Sequence, residues 1–64
     1  MIVLTQHDGT QIGINTDLIR FIEGLPNEGN PATKTEVYFV GGNIRVQETF
    51  DEVYNMIQQR RKNK

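Results

Sequence analysis

An Asp-Gly pair at positions 8 and 9 stands between two short runs of alternating apolar residues, Ile2 to Gln6 and Gln11 to Asn15. That arrangement is the strongest short-range signal for a β-hairpin, because a type I′ turn needs positive φ at both central residues. With Asp8-Gly9 as the turn, Val3 pairs with Ile14, Thr5 with Ile12, and Leu4 lies opposite Gly13. One face then carries Val3, Ile12 and Ile14, and the other carries Ile2 and Leu4. A hairpin that is apolar on both faces requires two coverings. The chain supplies one from its own helix, and a second subunit is the expected source of the other. Either Ile2 and Leu4, or Val3, Ile12 and Ile14, are therefore the expected homo-oligomer interface.

Size points the same way. The chain has 64 residues, enough for a single domain over 1–64. It contains no cysteine, so no disulfide framework supports it, and one histidine without cysteine excludes a structural zinc site. An unstapled core of this size supplies only about 3–5 kcal/mol, and self-association or a partner surface is the usual complement. No apolar run is long enough for a membrane span or a signal peptide, so a cytoplasmic protein without membrane insertion is expected. Seven Lys and Arg against eight Asp and Glu give a net charge of −1. That balance argues against a surface given over to gripping phosphate backbones.

Along the rest of the chain, Asn15-Thr16-Asp17 is a polar turn cluster, and Leu18 to Gly24 follows as a third strand. Leu18, Ile19, Phe21 and Ile22, interrupted only by Arg20, fit a strand or a short helix by periodicity, and the β-rich neighbourhood favours the strand. Leu25 to Lys34, with Pro26, Gly29 and Pro31, reads as a long loop. Loops of this length in small domains are either functional or mobile, and on the functional reading Asn27, Glu28, Asn30 and Lys34 are candidate partner-binding residues. A second hairpin spans Thr35 to Gln47 around Gly41-Gly42. It pairs Phe39 with Ile44 and Val37 with Val46, and sets Tyr38 across from Arg45 and Glu36 across from Gln47.

The chain ends in a helix. Thr49-Phe50-Asp51-Glu52 has the form of a capping box. Phe50, Val53, Tyr54 and Ile57 follow at helical spacing as one apolar stripe, with Met56 beside it. The predicted fold is α+β: a small antiparallel sheet of four to five strands, built from two hairpins, with one C-terminal helix. Val37, Phe39, Ile44, Val46, Phe50, Val53 and Ile57 are its predicted core.

Little of this supports catalysis. His7 and Asp8 are adjacent, but an acid–base site needs further groups held in a pocket, and residues before a hairpin turn are polar on structural grounds. Glu48, Asp51 and Glu52 cluster where carboxylates favour the positive end of the helix dipole. A hard-cation site needs oxygen ligands converging from more than one segment. The glycine-rich stretches lack the strand–glycine–helix order of a phosphate loop. No enzyme activity, metal or cofactor is expected. The basic end, Arg60, Arg61, Lys62 and Lys64, leaves a nucleic-acid alternative in which Tyr38 and Arg45 add a stacking contact. A third reading, an oligomeric small-ligand binder such as phage counter-defence proteins, rests on size and expected assembly alone.

Taken together, these pieces resemble the FlbD/SwrD-type small flagellar proteins of bacteria. The resemblance is carried by Met1-Ile2-Val3-Leu4-Thr5, Asp8-Gly9, Asn15 followed by Asp17-Leu18-Ile19, and Ile22-Glu23 before Pro26. The stretch Val46-Gln47-Glu48-Thr49-Phe50-Asp51-Glu52-Val53 is similar to that family's Val-x-Glu-Ser-x-x-Glu-Val close. Asn27 to Lys34 look like an insertion relative to the family, and Gly41-Gly42-Asn43 stands where the family tends to have Asn-Gly-Lys. The resemblance implies a role in flagellar motor function or swarming motility, with no catalytic activity and no cofactor. The leading expectation is thus a non-enzymatic module that binds a protein partner.

Overall fold

The computed structural model describes residues 1–26 and 33–62, with side chains as far as residue 60. In chain order the elements are β1 (Ile2–Thr5), β2 (Gln11–Ile14), a 3-10 turn (Thr16–Leu18), β3 (Ile19–Gly24), β4 (Thr35–Phe39), β5 (Gly42–Val46) and α1 (Phe50–Lys62). This is the predicted α+β architecture, with β1 and β2 in one antiparallel sheet and β3, β4 and β5 in another. A bridge between Gln6 and Val46 joins the two sheets. Beside it the Gln47 amide donates to the Thr5 carbonyl at 2.8 Å, so the end of β1 runs along the end of β5.

The first hairpin departs from the register that an Asp8-Gly9 turn predicts. Ile2 lies opposite Ile14, Val3 opposite Gly13, Leu4 opposite Ile12 and Thr5 opposite Gln11. The loop has three residues rather than two. The Gln6 amide donates to the Thr10 carbonyl at 2.8 Å and the Gly9 amide to the Gln6 carbonyl at 3.0 Å. Gly9 sits at φ +91°, as in a type I turn closed by a glycine in the left-handed region. The Asp8 carboxylate accepts from the Thr10 amide at 3.0 Å and from the Thr10 hydroxyl, which holds this turn.

A slip of one residue turns one strand over relative to the other. Ile2, Leu4, Ile12 and Ile14 consequently share a single face. Ile2, Leu4 and Ile14 are buried in the chain's own core and Ile12 packs at its margin. Val3 is on the other side, 53% exposed. The two apolar faces of the turn-based register reduce to one, which the chain covers itself, so these residues do not offer a second subunit an intact apolar face.

The second hairpin is also shifted, by two residues. Val37 lies opposite Ile44, Thr35 opposite Val46, Glu36 opposite Arg45, Tyr38 opposite Asn43 and Phe39 opposite Gly42. The turn is Val40-Gly41, with Gly41 at φ +105°. An even shift preserves faces, so Val37, Phe39, Ile44 and Val46 stay together as predicted, while the partners of Tyr38 and Glu36 change. The Phe39 ring lies over Gly42, where an added Cβ would meet it at 3.8 Å. That contact replaces the predicted one with Ile44.

In β3 the ladder skips between Ile19 and Phe21, so Arg20 occupies a β-bulge. The extra residue lets Ile19 and Ile22, three apart, both pack against the core. This is why the segment reads equally as strand or helix by spacing alone. The capping box forms as predicted: the Glu52 amide donates to Thr49 Oγ1 at 3.2 Å and the Thr49 amide to Glu52 Oε1 at 2.9 Å. The buried side of the helix is rotated from the predicted stripe. Val53 and Ile57 are buried and Met56 packs against them, whereas Phe50 is 40% exposed and Tyr54 is also exposed. Those two rings stack on each other instead, with centroids 6.2 Å apart.

The link between sheet and helix is polar. Glu48 Oε1 accepts from the Thr5 amide at 2.9 Å and Oε2 from the Thr5 hydroxyl at 2.8 Å. The buried Thr35 hydroxyl donates to the Glu48 carbonyl at 2.8 Å. The observed register gives a direct test in urea denaturation. Leu4→Ala is expected to lower the unfolding free energy by about 2–5 kcal/mol, enough to depopulate the native state. Val3→Thr is expected to change it by less than about 0.5 kcal/mol. Comparable losses at both positions would restore the two-faced hairpin.

Candidate functional site

Strand alternation places Phe21, Glu23, Glu36, Tyr38, Asn43 and Arg45 on the side of the three-stranded sheet opposite Val37 and Ile44. The bulge at Arg20 brings Phe21 opposite Tyr38. Their rings stack with centroids 4.3 Å apart and planes inclined by 22°. Phe21 remains 55% exposed, a large apolar group on a solvent-facing sheet surface.

Carboxylates flank the rings. The Tyr38 hydroxyl donates to Glu23 Oε1 at 3.2 Å. Glu36 lies directly opposite Glu23 in the ladder, a cross-strand pairing of like charges that works against the sheet. Glu36 is only 9% exposed. It is held by the Asn43 amide and, more loosely, by Arg45 Nε at 3.6 Å from Oε1. An ion pair with so exposed an arginine is screened and contributes little. Partial burial, then the Glu36 charge and the bond and charge of Glu23, raise the Tyr38 phenol above its ordinary value. The surface therefore offers an aromatic face and acceptor oxygens, with two carboxylates against one arginine.

The predicted site residues distribute as follows. Tyr38 and Arg45 share this face, but Tyr38 is across from Asn43 rather than Arg45 and stacks on Phe21. Two carboxylates, Glu23 and Glu36, flank it. Arg60 Nε donates to the Met1 carbonyl at 3.0 Å, tying the helix to the start of β1. The side chains of Arg61, Lys62 and Lys64 lie outside the described residues, as do Asn27, Glu28 and Asn30. Lys34 is described and exposed. Its carbonyl accepts from the Leu25 amide and its amide donates to the Val46 carbonyl, both at 2.9 Å, so the base of the loop continues the ladder. A shallow groove there is lined by Gly24, Leu25, Lys34, Thr49 and Phe50.

His7 and Asp8 are in the first hairpin loop, exposed. The side-chain bond from Thr10, followed by its backbone bond, lowers the Asp8 carboxyl below its ordinary value. Sequence reasoning missed Phe21, Glu23, Glu36 and Asn43. The signal was available for Phe21, since Ile19 and Ile22 flank it at a spacing that a regular strand cannot bury on one side.

The model of the FlbD family, flagellar and swarming motility proteins, matches residues 1–64. No curated protein and no solved structure matches the chain.

The Tyr38 environment is testable by spectrophotometric titration. Its folded value is raised above 10.0, so the neutral phenol contributes stability that is intact below the unfolded value and lost as pH rises through the folded one. Glu36→Gln is expected to bring the Tyr38 transition back towards the ordinary value. An unchanged transition would remove Glu36 from the causes.

Proposed function

The chain belongs to the FlbD family of flagellar and swarming motility proteins, and on that premise we propose that it is a non-enzymatic protein-interaction module of the motility apparatus. The observation that carries the reading is how the residues of the family's closing motif are engaged. Val46 and Val53 are buried in the core, Glu48 binds Thr5, and Thr49 and Glu52 cap the helix. Each has a folding role. We assign binding to the segment carrying Asn27, Glu28, Asn30 and Lys34, on the sequence reading, and to the Phe21–Tyr38 face. A core this small also makes association, with a partner or with another copy, its natural complement.

The reading is tested by affinity capture from source-cell lysate with and without nuclease. Flagellar motor or export proteins are expected among the specifically retained species, and their recovery should survive nuclease. Glu28→Ala and Lys34→Ala are expected to leave folding intact while weakening that recovery. Retention that collapses on nuclease treatment would transfer the function to nucleic acid and the Arg60–Lys64 end.

A further inference from the structure

The geometry points to the outer face of β3, β4 and β5 as a recognition site for an arginine side chain in a basic segment of a protein partner, an inference that rests on the interaction-module reading and names its partner's chemistry. Three features converge there. First, the stacked Phe21 and Tyr38 rings leave Phe21 55% exposed, an aromatic surface of the kind that attracts a guanidinium plane. Second, Glu23 and Glu36 lie directly opposite one another beside those rings. Their repulsion opposes folding, and the chain's own Arg45 relieves it poorly, at 3.6 Å and with its side chain 61% exposed. Third, Glu23 Oε1 is already oriented by the Tyr38 hydroxyl, which leaves its other oxygen as an acceptor at the ring edge.

A guanidinium satisfies all three at once. Its flat face covers the rings, its forked N–H groups reach a carboxylate, and its charge offsets the like-charged pair. An ammonium supplies the charge without the plane, so arginine is preferred to lysine. Phosphate-bearing partners are disfavoured by the same two carboxylates. The chain's own Arg60 is engaged with the Met1 carbonyl and is not the occupant; the proposal commits to a different protein, with the tail of a second copy as an outcome of the test.

The test titrates the isotopically labelled full chain, at low ionic strength, with blocked tetra-arginine, tetra-lysine and tetra-citrulline peptides, followed by amide chemical shifts. The arginine peptide is expected to move signals of Phe21, Glu23, Glu36 and Tyr38, the lysine peptide to bind more weakly, and uncharged citrulline not to bind. Phe21→Ala and Glu23→Gln, both at exposed positions, are each expected to weaken arginine binding by about tenfold with an unchanged circular dichroism spectrum. Binding spread over Asp51 and Glu52, equal binding of citrulline, or full affinity in both variants would overturn the site. Self-association of the wild type that disappears on truncation after Gln59 would assign the face to a second copy's tail and overturn it as well. If lysate capture recovers motility proteins while the arginine peptide fails, the site falls and the module reading stands. The reverse pattern removes the module reading and keeps the site.

Discussion

The fold depends on a pair of residues 43 positions apart, Thr5 and Glu48. One carboxylate takes both the amide and the hydroxyl of Thr5. It sits where β5 ends and the capping box begins, so it fixes the first hairpin to the strand and helix that follow. Beside that link the two sheets are joined by one bridge, by the Gln47 side chain on the Gln6 carbonyl, by Arg60 on the Met1 carbonyl and by apolar contact. A two-stranded hairpin alone is marginal at best in water. The opening Met1–Thr5 segment and the closing Val46–Val53 segment, which carry most of the family resemblance, are therefore two halves of one junction.

How much of this was legible depends on the range of the interaction. The capping box is an i, i+3 pattern and could be read outright from Thr49 and Glu52. The strands of the two hairpins were likewise legible from their alternation, whereas β3, broken by its bulge, was assigned from its β-rich neighbourhood. Register was not, since it is decided by loop closure. Gly9 takes the left-handed position of a three-residue loop that Asp8 and Thr10 stabilise, and the result differs by one residue from the Asp-Gly rule. In the second hairpin the shift is even, so the predicted apolar face survived the wrong turn. The helix stripe was legible in spacing but not in rotation. Arg60 on Met1, the burial of Val53 and Ile57 and the packing of Met56 beside them turn Phe50 and Tyr54 outward.

The candidate site was legible only at Tyr38 and Arg45. Of its other members, Phe21 and Glu23 follow from the bulge at Arg20, which leaves them on the outer face while Ile19 and Ile22 remain inside, and Glu36 and Asn43 follow from the register of β4 with β5. The irregularity shows in the sequence only as the spacing of Ile19 and Ile22, yet it creates the aromatic pair. The like-charged Glu23 and Glu36 then become neighbours only through pairing of β3 with β4. A surface that opposes its own folding in this way is consistent with a binding role, because a partner's charge recovers what the free fold forgoes.

The most direct test of the junction is a double-mutant cycle on Thr5→Val and Glu48→Ala, read by urea denaturation. A charge-assisted bond between the side chains predicts a coupling of about 1 kcal/mol or more, with each single variant destabilised. Additive losses with no coupling would contradict the account, since the two ends of the chain would then be held by the remaining contacts and not by this pair.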